Sequence, residues 1–178
     1  MMYNIFSPKM CLVPELKASW AGNLINEHTP TKVPIESQNG QYVLPIIHNG
    51  RKNWCAAVLP LQKNWCEMDI GEYSTLNFSC KISNTKDIKI SFVDKDENES
   101  PSKIIPKDHF TKEKKISISF TSLNFKKEEL NTESKFDFSI SLKDFYDQDN
   151  DFDPIETRLL KFIFAEKTNL LLYNIYLD

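Results

Sequence analysis

Strict alternation of apolar and polar residues most narrows what this chain can become. Leu76, Phe78, Cys80 and Ile82 are separated by Asn77, Ser79 and Lys81. Ile88, Ile90 and Phe92 repeat the pattern around Lys89 and Ser91, and Ile116, Ile118 and Phe120 repeat it around Ser117 and Ser119. Phe136, Phe138, Ile140 and Leu142 do so around Asp137, Ser139 and Ser141. A period of two lays one set of side chains on a buried face and the other in water. Four such segments with turn-rich gaps predict an all-β chain, an antiparallel β-sandwich or barrel.

Two later segments, Leu159 to Phe164 and Leu170 to Leu177, are nearly continuous apolar runs. They predict strands covered on both faces, with Glu166 to Asn169 as a hairpin loop between them. Only Phe125 to Leu130 reads as a helical turn. With four glycines in the chain, tight turns must lean on Asn and Asp, which tolerate positive φ. Up to His48 the chain carries Pro8, Pro14, Pro30, Pro34 and Pro45 among polar residues. Proline cannot donate to a ladder, so this stretch reads as loops with short edge strands. The expectation is a single sandwich domain over 1–178, with 1–48 as an irregular segment whose edge strands pack on it.

The 178 residues are 40% hydrophobic and 12% aromatic, enough for one sizeable core, so disorder is excluded. A net charge of -3 does not suit a phosphate backbone, so nucleic acid is not expected as a partner. No run reaches the roughly 18 apolar residues that a spanning helix needs, so no membrane span is expected. Met1 to Pro14 lacks a charged start followed by an apolar stretch, and so reads as no signal peptide. Location is left open between the cytoplasm and a piece of an exported protein. Cys11, Cys55, Cys66 and Cys80 show no CxxC spacing, and His28, His48 and His109 lie far apart. Neither suits a zinc site. Cys80 falls on the inward face of its strand and reads as a buried small hydrophobe.

No GxSxG, HExxH, Walker A or GxGxxG motif occurs, so an enzyme is not expected. The acidic loops fail as EF-hands. Counted from Asp149, the sixth position is Pro154 rather than Gly and the twelfth is Leu160 rather than Glu. Counted from Asp94, those positions are Glu99 and Ile105. Solvated loops are the simpler reading, with a structural calcium in another kind of loop as the alternative. Otherwise no cofactor is expected.

Several segments resemble one group of modules. Asp69-Ile-Gly-Glu-Tyr-Ser-Thr-Leu-Asn-Phe resembles the opening of a strand in jelly-roll carbohydrate-binding modules. Ile90-Ser-Phe-Val-Asp-Lys-Asp is similar to one of their strand ends, and Phe138-Ser-Ile-Ser-Leu-Lys-Asp-Phe to a later strand. Leu160-Lys-Phe-Ile-Phe and Leu172-Tyr-Asn-Ile-Tyr-Leu resemble the last two strands. Order and spacing agree from about Trp54 to Leu177. The resemblance is to the galactose-binding-like sandwich, which includes family 11-type carbohydrate-binding modules and the complex I intermediate-associated proteins. It implies a jelly roll. Related modules often hold a structural calcium through an Asp in the closing motif, where this chain has Tyr173, together with acids near the N-terminus. Residues 1–14 contain no acid.

Sugar binders stack apolar pyranose faces on exposed rings and fix the hydroxyls with planar polar groups. Trp54 is the first choice as a platform, because Arg51 and Asn53 lie just before it. Asp94 and Asp96 are polar partners near a strand end, and Tyr42 and Tyr146 are further rings. The plainer reading of Trp54 and of Trp65 is core packing. The function expected is non-catalytic carbohydrate binding on one sheet face. The alternative is a protein–protein interaction or assembly domain on the same sandwich, so the partner is a carbohydrate or a protein surface.

Overall fold

The computed structural model describes residues 1–6, 17–19, 36–38, 41–48, 55–83, 87–106, 123–128, 135–146, 149–165 and 168–178. The strands are β1 (Tyr3–Phe6), β2 (Lys17–Ser19), β3 (Glu36–Gln38), β4 (Gln41–His48), β5 (Cys55–Pro60) and β6 (Thr75–Ser83). They continue as β7 (Ile88–Asp94), β8 (Lys103–Ile105), β9 (Leu123–Glu128), β10 (Lys135–Ser141), β11 (Thr157–Phe164) and β12 (Thr168–Leu177). Among the described residues the larger sheet runs β3-β4-β12-β6-β10-β9, with β1 also on β12, and the smaller runs β2-β5-β11-β7-β8. Every pairing is antiparallel. The all-β sandwich read from the alternation is what the chain forms.

The inner faces are the alternating apolar sets. Leu76, Phe78 and Cys80 of β6 and Phe136, Phe138 and Ile140 of β10 are buried. They meet Ile88, Ile90 and Phe92 of β7 and Leu160, Phe162 and Phe164 of β11. Phe78 stacks on Phe138 within the larger sheet at 4.9 Å and meets Phe162 of the smaller sheet edge-on at 5.8 Å. Phe92 meets Phe145 edge-on at 5.0 Å. Offset and edge-on rings are the favoured geometries, because the ring edge is positive and the face negative.

Several local expectations are revised. Residues 123–128 form strand β9, not a helical turn, with Phe125 in register with Phe138. Pairing along the whole of β10 outweighs the weak local helical preference. Glu166 to Asn169 does not close a hairpin, because β11 lies in the smaller sheet and β12 in the larger. Thr168 and Asn169 are already part of β12, and residues 166 and 167 lie outside the described residues. β11 is covered on its inner face but keeps Leu159 and Ile163 partly exposed on the outer one, and β12 leaves Tyr173, Asn174 and Tyr176 partly exposed, so neither strand is covered on both faces. The region before residue 48 supplies Ile5, Phe6, Leu44 and Ile46 to the core, through strands that pair with β12. The Ile116 to Phe120 strand lies outside the described residues.

Cys80 is 1% exposed, and burial, with the Asp137 carboxylate nearby, pushes its thiol far above the ordinary range. Cys66 is exposed. Thiolate is the reactive form. Peptide mapping after brief iodoacetamide treatment is expected to find Cys66 alkylated and Cys80 intact until denaturant is added. Modification of native Cys80 at the rate of Cys66 contradicts this packing.

Candidate functional site

The outer face of the smaller sheet departs from the usual solvated pattern. Ala56 and Val58 of β5 and Val93 of β7 lie opposite Ile163, Lys161 and Leu159 of β11. None of Ala56, Val58 and Val93 belongs to the inner core, yet all three are buried. Ser91, opposite Lys161, is fully buried. Leu159 and Ile163 stay partly exposed. This face is therefore sheltered rather than solvated, with small side chains, Ala56 and Ser91, among its buried positions.

A charged pair sits on that sheltered face, the recess of the smaller sheet. Glu99 accepts from the Ser91 hydroxyl at 2.6 Å and from Lys161 Nζ at 2.6 Å. Lys161 is 7% exposed. A buried ammonium is tolerated only where it is paired, and Glu99 supplies the pair. The sequence carries a signal for it, since Lys161 interrupts Leu159-Leu160-Lys161-Phe162-Ile163-Phe164 at an outward position of the strand.

Two loops flank the start of β11. Residues 61–68 are strapped to it by Leu61 N–H to Arg158 O and by paired bonds between Met68 and Thr157. Arg158 Nη2 donates to Glu67 at 2.7 Å, and this bond, together with a backbone donor, holds the Glu67 carboxyl below its usual range. Arg158 Nε is buried and donates to nothing. Trp65 sits partly exposed in this loop with φ 61, after Asn64 with φ 59. Positive φ is uncommon for a bulky residue. Such strain costs about 1–3 kcal/mol per residue and persists only where the surroundings impose it.

On the other side lies the turn after β7, anchored by Asp94. Its Oδ1 accepts from the N–H of Asp96 and of Asn98, each at 2.9 Å. Its Oδ2 accepts from Asn98 Nδ2 at 3.0 Å and from Asp153 N–H at 3.1 Å. Burial pushes this carboxyl up, but the donors together outweigh it and hold the pKa below the ordinary value. Asn150 Nδ2 donates to Glu99 O at 3.0 Å, and Lys95 pairs with Glu156 at 2.5 Å. The 94–100 turn and the 149–156 loop are thus knitted into one wall.

Of the residues singled out from sequence, Asp94, Asp96, Tyr42 and Tyr146 fall within the described residues. Asp94 is 3% exposed, so its oxygens serve the wall rather than a ligand. Asp96 is exposed at the turn tip. Arg51, Asn53 and Trp54 lie outside the described residues. They precede Cys55, which stands at the opposite end of the smaller sheet from Asp94. Tyr42 lies in the other sheet, opposite Ser37 of β3. Tyr146 donates its hydroxyl to Ile70 O at 3.3 Å. Burial, then the Asp69 carboxylate, raises its pKa to about 12. It reads as a packing residue. Sequence reasoning passed over Ser91, Glu99 and Lys161, which the β7–β11 pairing and the turn after β7 bring together, and Arg158 at the start of the same strand.

Calcium fits poorly at the closing motif. Tyr173 stands where related modules carry Asp, and Lys81 Nζ lies 5.9 Å from its ring centre. A cation there would meet a phenol and an ammonium. Among the described residues no three His, Cys, Asp or Glu converge as ligands.

The family model described as carbohydrate binding domain 30 matches residues 5–178. No curated protein matches the chain. Among solved structures, the family 30 carbohydrate-binding module of the cellulosomal cellulase Cel9D-Cel44B of Clostridium thermocellum is similar, with a TM-score of 0.67 and 18% identity, over 100% of this chain and 97% of that one. A second family 30 module gives 0.65 and 18%, over 100% and 98%. A variant of the family 29 module CBM29-2, complexed with cellulohexaose, gives 0.51 and 10%, over 99% and 89%.

Proposed function

The chain belongs to the carbohydrate binding domain 30 family, and we propose that it holds a glycan on the outer face of its smaller sheet and does not turn it over. The observation that carries this reading is the match over residues 5–178. The recess adds the chemistry. Glu99, Lys161 and Arg158 are planar or multivalent polar groups already fixed in place, so little ordering cost remains when sugar hydroxyls bind. Arg158 Nε offers a buried donor that needs an acceptor. Trp65, partly exposed in the 61–68 loop that is strapped to the start of β11, is the ring proposed to stack an apolar pyranose face. Arg51, Asn53 and Trp54, which precede β5 in the chain, are proposed as further contacts from sequence. The ligand class proposed is a soluble β-linked glucan, in keeping with the cellulase that carries one similar module and the cellulohexaose bound to another.

The test is isothermal titration of the full chain with cellohexaose. Trp65→Ala and Lys161→Met are each expected to weaken binding about tenfold, equivalent to ~1.4 kcal/mol, with the far-UV spectrum unchanged. Affinity unmoved in both variants removes the recess from the reading. Silence toward a panel of glucans, xylans and mannans removes the reading itself.

A further inference from the structure

The larger sheet carries a second polar face, on the opposite side of the sandwich. Its outward positions include Asn77 and Ser79 of β6 and Asp137 of β10, with Tyr173, Asn174 and Tyr176 of β12. Residues three apart in a regular strand point to opposite faces. Tyr173 and Tyr176 escape that rule because the register with β6 shifts between Leu172 and Asn174. Leu172 pairs with inward Cys80, Asn174 with Ser79, and Tyr176 with Asn77. The extra residue, Tyr173, comes out on the Lys81 side. Bulges are used to re-aim side chains and are commonly found beside functional sites.

The same bulge creates an unmet demand. Asn174 Oδ1 is buried and accepts no hydrogen bond. Next to it across the pairing, the Ser79 hydroxyl donates to Asp137 Oδ1. An unpartnered acceptor beside an anchored carboxylate calls for donors from outside. Along β6 the two positions lie between two and three residues apart, roughly 7–10 Å at the usual strand rise. Two sugar units of an extended β-linked chain span a comparable length, and alternate units present the same face. The described outward positions between the rings, Asn174, Ser79 and Asn77, are amide and hydroxyl, which suits a neutral polyhydroxylated chain better than a protein surface.

We propose that the outer face of β12, β6 and β10 is a second glycan-binding surface, in which Tyr173 and Tyr176 stack sugar rings while Asn174 Oδ1 and Asp137 accept hydroxyl hydrogens. It takes the ligand class from the reading above but not the recess.

Backbone amide shifts of the full chain, titrated with cellohexaose, separate the two surfaces. The expected result is saturable shifts at Ser91 and Lys161 and, independently, at Asn77 and Asn174. Tyr176→Ala and Asn174→Ala should each weaken the second set about tenfold, the worth of one ring or one hydrogen bond to a buried acceptor. The first set and the melting temperature should stay in place. Shifts confined to Ser91 and Lys161 overturn the second surface and leave the recess standing. Shifts confined to Asn77 and Asn174 uphold the second surface and overturn the recess. No shift at either overturns both. A second set untouched by the two variants also overturns the proposal.

Discussion

Truncating Phe162 to alanine is expected to lower the free energy of unfolding by about 3–5 kcal/mol. Phe162 is 1% exposed and meets Phe78 edge-on across the two sheets. Its removal deletes a large apolar group and the ring contact that joins the layers. Neighbours on stiff paired strands can collapse only partly into the space, so a cavity term adds to the transfer term. Domains of this size hold about 5–15 kcal/mol in all. The variant should therefore melt far below the parent, with an unchanged denaturant slope. A shift worth less than about 1 kcal/mol in guanidinium unfolding contradicts the placement of Phe162 between the sheets.

Asp94→Ala is expected to cost about 3 kcal/mol, since removing the carboxylate leaves several buried donors without an acceptor. Its oxygens accept from three backbone N–H groups and one amide. Loss of the anchor removes the tie from Asp153 N–H and the ordering of the turn itself, and so loosens the wall that positions Glu99. Cellohexaose affinity should therefore fall in Asp94→Ala although the residue touches no sugar. Asp94→Asn restores size but turns an N–H toward a donor, and is expected to recover only part of the stability. The pH dependence follows from the lowered pKa. A group whose folded pKa is depressed contributes fully above its unfolded value, about 3.9 for Asp. That contribution is lost as pH falls through the folded value. Between pH 5 and pH 2 the parent should thus lose stability faster than Asp94→Ala. Parallel acid profiles for the two remove the carboxylate from this role.

The sandwich was legible because its inner faces obey a period that residue type reveals directly. Leu76-Asn77-Phe78-Ser79-Cys80 can be read without any partner strand. The recess was less legible, because it depends on which strands become neighbours. Ser91 reads as an ordinary outward residue of β7 until β11 brings Lys161 beside it and the next turn folds Glu99 over both. Asp94 was read as a ligand because acids at strand ends bind hydroxyls as readily as they bind N–H groups. Only the path of the turn decides which. β9 was misread because Phe125 to Leu130 offers little alternation, and its strand conformation is imposed by β10. The bulge at Tyr173 has no strong local signature, since it arises from the pairing of β12 with β6.

The last strand of the chain is also the hub of the larger sheet. β12 pairs with β1, β4 and β6, joining the first residues to the last. On a ribosome, β1 and β4 emerge long before the strand that receives them. Until residues 168–177 are released, β1 lacks its partner and β4, though paired with β3, keeps its other edge open to pairing with other chains. Closing such distant contacts is slow, in the millisecond-to-second range for sandwiches of high contact order. The larger sheet therefore closes in a late zippering event once β12 is available, and yield in the cell should depend on how well the early strands are shielded while they wait.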